Sequence, residues 1–388
     1  MCALLARLGN TLRTLTALFA AGALVPAARA EPDVATIQQM IDLAAAQHAS
    51  TLEQAALVDA AMAGVTGWLN DFHQSADHRV LSIHQYQSEM AYFRGDGFGL
   101  GLDIRPLEGH GARVIDVFAG SPAERAGLTT DMAIIGVEGV SFAGKSTADI
   151  LQALRSSVAD TQRKQVILET VDTKGQPGAK PVILGYYHIP AVALSKHEDH
   201  LVIDVRRICM EASRLLQTAL TEDETGLLVL DLRRAEGVDL DDLLILARQF
   251  LGDSQPVGYF DAHGQPTLEL RTANASAWQG QLAILVSEGT RGTAELLAAA
   301  LREHLEAPLF GTHTAGEAQL PSYHALPGER VVQLVAGWMR TPEGHKFNEI
   351  GVQPDEIVVA SSGAVISPLI PPPDLQYDAA LRWLRTQE

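Results

Sequence analysis

Cysteine is nearly absent from this 388-residue chain, occurring only as Cys2 and Cys209. Because Cys2 sits in a leader-like segment, the processed chain is left without an intramolecular disulfide, and its fold must hold by packing. Basic residues are also short, 29 Lys and Arg against 47 Asp and Glu, for a formal net charge of −18. That balance argues against nucleic acid or an anionic lipid surface as the main partner, since both need a positive field. Beyond residue 30 no uninterrupted apolar run reaches the ~18 residues of a membrane-spanning helix, so no span is expected once the leader is removed. Internal repeats and low-complexity tracts are missing as well. What is there, 47% hydrophobic residues with 33 Gly and 18 Pro, fits a folded globular chain and excludes collagen-like, coiled-coil and wholly disordered classes.

The first 30 residues read as a secretory signal. Arg7 and Arg13 precede the apolar run 15–25, and Pro26 and the small-residue pattern Ala28-Arg29-Ala30 follow. Cleavage is expected before Glu31, which makes the product periplasmic or secreted. Cys209, inside the apolar-periodic segment 208–220, reads as an inert core thiol.

Five segments follow from the patterning: the signal (1–30), a helical segment (31–90), a compact module (91–185), an α/β core (186–360) and a C-terminal tail with a helix (361–388). In the helical segment Ile37, Met40, Ile41 and Ala44 mark one apolar face; Leu57, Val58, Met62, Val65 and Leu69 mark another. Thr51 with Gln54 forms a capping box for the second helix. The module begins with the glycine run Gly95, Gly97, Gly99 and Gly101. It continues through strands at 113–118, 133–137 and 165–171 and two short helices opened by Ser121 and Ser146. Residues 174–178 read as a polar turn after its last strand. From residue 186, apolar runs at 201–205, 226–232 and 282–286 alternate with amphipathic helices at 208–220, 240–251 and 293–305. That alternation is the pattern of a layered core with parallel pairing.

Three ordered segments carry a family resemblance. Gly99-Leu100-Gly101-Leu102, then Ser121-Pro122-Ala123-Glu124-Arg125-Ala126-Gly127, resemble the carboxylate loop and following turn of a PDZ domain. Leu228-Val229-Leu230-Asp231-Leu232-Arg233 resembles a strand-end motif of the carboxyl-terminal processing (tail-specific) serine peptidases. Ile284–Thr290 running into Ala294-Glu295-Leu296-Leu297 resembles that family's nucleophile strand and helix, and Thr341–Gly344 and Gly351–Asp355 match its C-terminal signatures. The resemblance covers roughly residues 35–385. It implies an α/β core of the tail-specific protease type (ClpP/crotonase-like) with an inserted PDZ domain and an N-terminal helical segment that often mediates self-association into a homo-oligomer.

The same resemblance implies a Ser–Lys pair, the serine attacking, a neutral lysine taking its proton, and backbone N–H groups holding the oxyanion. Anchored on Glu288-Gly289 and Glu295, the serine position falls on Gly292. Anchored on Gly311, Thr314 and Gly316, the lysine position falls on Glu317, and its orienting glutamine on Pro321. The oxyanion loop reads Arg234-Ala235-Glu236-Gly237-Val238 and keeps one glycine. Nucleophile, base and orienting residue are therefore missing. The expected protein is a non-hydrolysing homologue that binds C-terminal tails of exported proteins, or an active envelope protease, as adaptor or scaffold. The tail would lie on Gly99, Leu100, Gly101 and Leu102 and against Ile150 and Leu154, as an added strand. The rival expectation is an active serine-type endopeptidase with relocated groups; Thr290 and Thr293 flank the gap, although helix capping is the simpler role for both. His197-Glu198-Asp199-His200 reads as a solvated turn rather than a metal site, and Arg94-Gly95-Asp96 as a turn. No cofactor or metal is expected.

Overall fold

The computed structural model describes residues 34–48, 50, 52–72, 77–159, 164–274, 277–359 and 373–387. The expected signal peptide and Thr51 lie outside them. The chain divides after Val65 into two compact units. The first holds α1 (Val34–Gln47) and the start of α2 (Gln54–Phe72). Of the apolar face expected on α1, Ile41 is buried while Ile37 and Met40 are exposed.

The second unit begins with β1 (Arg79–Ser82) and α3 (Ile83–Phe93). Ser82 and Gln85 close a reciprocal capping box on α3, and Arg94 with Gly95 ends it in a turn. The module follows: β2 (Asp96–Gly99), β3 (Leu102–Leu107), β4 (Gly111–Val117), α4 (Pro122–Arg125), β5 (Ala133–Val137), β6 (Val140–Ser141), α5 (Thr147–Ala159), β7 (Gln165–Val171), β8 (Pro177–Ile183) and β9 (Gly185–His188). Strands run β3-β4-β5-β7-β8, all neighbours antiparallel, with β6 on β5 and a separate β2-β9 pair. Two strands here correct the sequence reading. The expected turn is present but ends at Gln176, Pro177 and Gly178 already belonging to an additional strand, β8, and β9 returns to β2 and extends the module to His188. Pro177 is tolerated because β8 is the last strand of its sheet, where a missing N–H breaks no inner ladder.

The core then alternates as expected: β10 (Val192–Lys196), β11 (Leu201–Val205), α6 (Met210–Thr221), β12 (Leu227–Asp231), β13 (Glu236–Gly237), α7 (Leu240–Ala247), β14 (Pro256–Ala262), β15 (Leu268–Arg271), β16 (Gln281–Val286), β17 (Arg291–Gly292), α8 (Thr293–Leu305) and β18 (Leu309–Gly311). β19 (Gln319–Leu326), β20 (Arg330–Arg340), β21 (Glu356–Ile357) and α9 (Leu375–Leu384) complete it. The central sheet is ordered β10-β11-β12-β16-β18-β21, parallel from β11 onward. Its strands are apolar on both faces because both are covered. Leu228, Leu230, Ile284 and Val286 pack with residues of α6, α7 and α8, whereas Val229, Ala283 and Leu285 pack with Ala379, Ala380 and Leu384 of α9.

Cys209 packs at the margin of the core and not within it. It is half-buried at the N-cap of α6, with no side-chain cap bond. The 197–200 turn is likewise not simply solvated. His200 is buried, its ring bonded at Nδ1 to Asp199 (2.7 Å) and at Nε2 to the Tyr377 hydroxyl (2.6 Å), while Asp199 binds Arg385. The turn therefore ties down α9.

A second, antiparallel sheet was not foreseen. β19 and β20 form a long hairpin; along its other edge β20 pairs with β1 at its start and with β14 at its end, and β15 follows β14. This sheet walls the cleft described next.

Candidate active site

Gly292 is the hinge of the cleft. It is the N-cap of α8, at φ +60°, in the left-handed region that a side chain rarely occupies. A sharp strand-to-helix turn of this kind presents a nucleophile in many hydrolases. Here the turn is shut from the other side. β13 and β17 pair in parallel, Gly237 opposite Gly292. A Cβ on Gly292 would stand 2.2 Å from the Gly237 carbonyl oxygen, and one on Gly237 would stand 2.1 Å from Thr293 Oγ1. The two glycines need one another: neither accepts a side chain while the backbones remain paired.

The base position lies across the cleft, linked to the hinge by a buried carboxylate. Glu295, with no exposed surface, accepts the backbone N–H groups of Gly292 (3.1 Å), Gly316 (2.7 Å) and Glu317 (2.8 Å), together with the Thr314 hydroxyl. Thr314 Oγ1 in turn accepts the Val352 N–H at 2.7 Å. Burial pushes the Glu295 carboxyl up, and the hydrogen bonds it accepts act against that shift. The bond from Gly292 N–H to the Glu295 carboxylate is the side-chain contact at the α8 cap. Capping is therefore not the work of the threonines. Thr290 is fully buried, its hydroxyl donating to the Leu232 carbonyl (2.8 Å) and accepting the Ser287 N–H (3.0 Å). Thr293 is fully buried, and its hydroxyl has no hydrogen-bond partner.

Gly292, Glu317, Pro321, Gly237 and Val238 all line one cavity of about 610 Å³, so positions spread over 85 residues of sequence meet in space. Its other walls come from α3 (Ser88, Glu89, Tyr92, Phe93), from Asp77 and Arg79, and from the hairpin residues Gln319, Tyr323, Gln333 and Val335. Among the described residues no lysine or histidine lines it. Glu317 is ion-paired with Arg291, both side chains half-exposed. Arg79 holds Glu89 in a two-pronged pair (2.9 and 3.0 Å) and also meets Asp77 (3.0 Å) and Gln333. Tyr92 bonds Glu236, and burial pushes both groups up, as it does Tyr323. The phenols are thereby held in their protonated form. The α3 wall and the hairpin wall were not anticipated from sequence: residues 330–340 alternate in burial in the fold but not in residue type.

In the module, Gly99 pairs with Gly185, the Leu100 carbonyl accepts Ala123 N–H (2.8 Å) and the Gly101 carbonyl accepts Phe118 N–H (3.1 Å). Leu102 opens β3, an edge strand whose described partner is β4. Ile150 and Leu154 require correction. Ile150 has no exposed surface and Leu154 very little, both packing with Leu100, Ile134 and Val166 in the module's interior. Their apolar spacing on α5 reports a core face, not an open groove. The module is fastened to the core by ion pairs: Arg234 binds Asp103 and Asp204, and Arg206 binds Asp116 at 2.8 Å while lying over the Phe118 ring.

Residues 210–358 match the model of peptidase family S41. The chain is 27% identical over 314 residues to a carboxyl-terminal-processing protease of a Synechocystis strain, covering 78% of this chain and 72% of that one. It is 24% identical over 289 residues to a protein of Staphylococcus haemolyticus named as a CtpA-like serine protease, of which the match spans 56%. The fold resembles that of a photosystem II D1 C-terminal processing protease (TM-score 0.50, 21% identity, 89% of this chain and 90% of that one). It also resembles a Bacteroides fragilis protein assigned to S41 (TM-score 0.60, 16% identity, 93% and 99%). With the mixed α/β fold and this ordered match, residues 210–358 carry the pattern of peptidase family S41, and the chain is similar to CtpA-like carboxyl-terminal processing serine proteases.

Proposed function

We propose that this S41-like chain is an exported protein that holds polypeptide tails without hydrolysing them. One observation carries the reading: the spot where an attacking oxygen belongs is occupied by the facing carbonyl of Gly237, 2.2 Å from where a Cβ would start. Two more support it. The base position is a carboxylate engaged by Arg291, and an anion there cannot replace a lysine in stabilising a neighbouring alkoxide. The exposed hydroxyl in the cavity, Ser88, has no lysine or histidine beside it among the lining residues. Loss of a nucleophile from such a unit removes nearly all of its rate.

Tail binding is assigned to residues 96–188, read as a PDZ domain. The edge strand β3, entered through Gly99-Leu100-Gly101, accepts a peptide as a further antiparallel strand, and the loop's N–H groups meet its terminal carboxylate. The partners are C-terminal tails of exported proteins or of an active envelope protease, and the role is that of adaptor or scaffold. No described helix is long and apolar enough to cross a membrane, and export rests on the leader sequence.

The test is paired. Purified protein incubated with unfolded casein is expected to give no turnover, while a C-terminal peptide library yields binders whose affinity falls on amidation of the terminal carboxylate. Sustained turnover abolished by substituting Ser88, Thr290 or Thr293 would reinstate a working endopeptidase. Binding indifferent to amidation would remove the tail from the proposal.

A further inference from the structure

Away from the mouth of the cleft, the antiparallel sheet ends in an open strand. β15 is last in the order β1-β20-β14-β15, and β14 is its one strand partner among the described residues. Its outer edge keeps backbone N–H and C=O groups that no described strand takes up, and such an edge is a template for another extended chain. The edge borders a groove of about 530 Å³, flanked on its far side by the first turns of α7. Leu268 of β15, 53% exposed, shares that groove with the half-buried Leu240 and Leu244 of α7. A strand edge beside a helix receives a peptide by strand addition: main-chain groups supply affinity, and alternate side chains enter pockets. In the module, α5 spends Ile150 and Leu154 on the interior, whereas α7 leaves Leu240 and Leu244 partly open.

Two further observations identify the occupant. The first is continuity. Val238 lines both this groove and the cleft, because it follows Gly237 of β13 and precedes Asp239, the cap of α7. A polypeptide lying in the cleft can therefore run past Val238 onto the edge of β15. The second is charge. The cation of the groove, Arg271, is spent on Glu269 (2.6 Å) and on the Ser254 carbonyl (2.6 Å). Asp239 and Asp241 also line the groove, with no basic partner among the described ion pairs. The open edge asks for an extended main chain; the aspartates select, among such chains, basic side chains over acidic ones.

We infer that the groove between β15 and α7 receives an extended, basic and apolar stretch of the held polypeptide as an added strand. Apolar side chains of that stretch meet Leu240, Leu244 and Leu268, and basic ones meet Asp241. The inference rests on the reading of this protein as one that holds polypeptides without cleaving them. To the site for the tail's end it adds a second hold, farther from the terminus and indifferent to the terminal carboxylate.

The experiment titrates the full chain by calorimetry with a peptide of alternating lysine and leucine, six residues long, acetylated at its start and amidated at its end. The amide removes the carboxylate that the module's loop would hold, so binding reports on the groove and not on the tail site. A counterpart with glutamate in place of each lysine is expected to bind at least about tenfold weaker. The basic peptide is also expected to slow amide exchange in residues 268–271. Leu268→Lys, at an exposed position, is expected to weaken it about tenfold. Equal binding of the two peptides, binding of neither, or protection of β3 in place of β15 overturns the inference. Because those readings use the unsubstituted protein, they hold even where Leu268→Lys fails to fold. A dimer in sedimentation that Leu268→Lys dissolves also overturns it, since the occupant is then a second copy of this chain. The tail reading fails separately, on C-terminal peptides whose affinity ignores amidation. A basic peptide recovered cleaved sinks the non-hydrolysing reading instead.

Discussion

The frame of the cleft and its mouth are built on different terms. In the frame, Glu295 accepts three backbone N–H groups and one hydroxyl from two separate segments, and Thr314 passes the connection on to Val352. At the mouth, Gly292, Glu317 and Pro321 offer neither nucleophile nor lysine. The lesson is that the frame answers to folding and the mouth to chemistry. Remove the chemistry, and the hydrogen-bond hub still has every reason to remain, because its buried donors have no other acceptor.

The sharpest way to break this contrast is Glu295→Ala. It orphans three buried N–H groups at roughly 1–3 kcal/mol each, so a loss of about 4 kcal/mol in chemical denaturation is expected. The sign of its pH dependence is fixed by the raised native pKa. Stability from this carboxyl is fully present below its unfolded pKa and is lost as pH rises through its native value, so the gap between wild type and Glu295→Ala narrows with rising pH. A gap that widened would mean that burial does not dominate at Glu295.

Next in size is Gly292→Ser. The left-handed φ and the 2.2 Å approach to the Gly237 carbonyl together cost about 2–4 kcal/mol. Combined with Glu317→Lys it is expected to give no casein hydrolysis, since Pro321 and Val238 remain; strong hydrolysis would show the mouth to be one pair of substitutions from activity. Gly101→Ala places a Cβ 2.3 Å from that of Ser121 at φ +77°, and a loss of about 1–2 kcal/mol with weakened tail affinity is expected by thermal shift and titration. Arg291→Ala is expected to cost under about 1 kcal/mol, because its pair with Glu317 is half-exposed and screened. The smallest effect concerns α9. Arg385 and His200 hold the Asp199 carboxyl down to about 2. That tether is present above the ordinary carboxylate pKa and is lost as pH falls toward about 2, so amide exchange in α9 is expected to quicken there.

Much of this architecture was legible in the sequence. β11, β16 and α8 declared themselves because strands covered on both faces read as apolar runs, and the helix after β16 is rich in Leu and Ala because it is buried from Thr293 to Leu301. The convergence of Gly292 and Glu317 was legible through the family resemblance, which placed both at one site. β8 was hidden because Pro177 and Gly178 are turn residues everywhere except at a sheet edge. Ile150 and Leu154 misled because the same i, i+4 spacing serves a core and a groove alike. The Gly237 carbonyl that shuts the nucleophile turn left no trace, since it depends on the register of two two-residue strands.

The wall of the cleft joins distant parts of the chain. Arg79 of β1 meets Gln333 of β20 across a sequence separation of 254 residues. During synthesis from the N-terminus, the cavity therefore gains its far side only after most of the polypeptide has emerged, and the β1 segment must wait unpaired until then. The pocket is among the last features of this molecule to exist, which leaves a nascent chain unable to seize a ligand before its own core has formed.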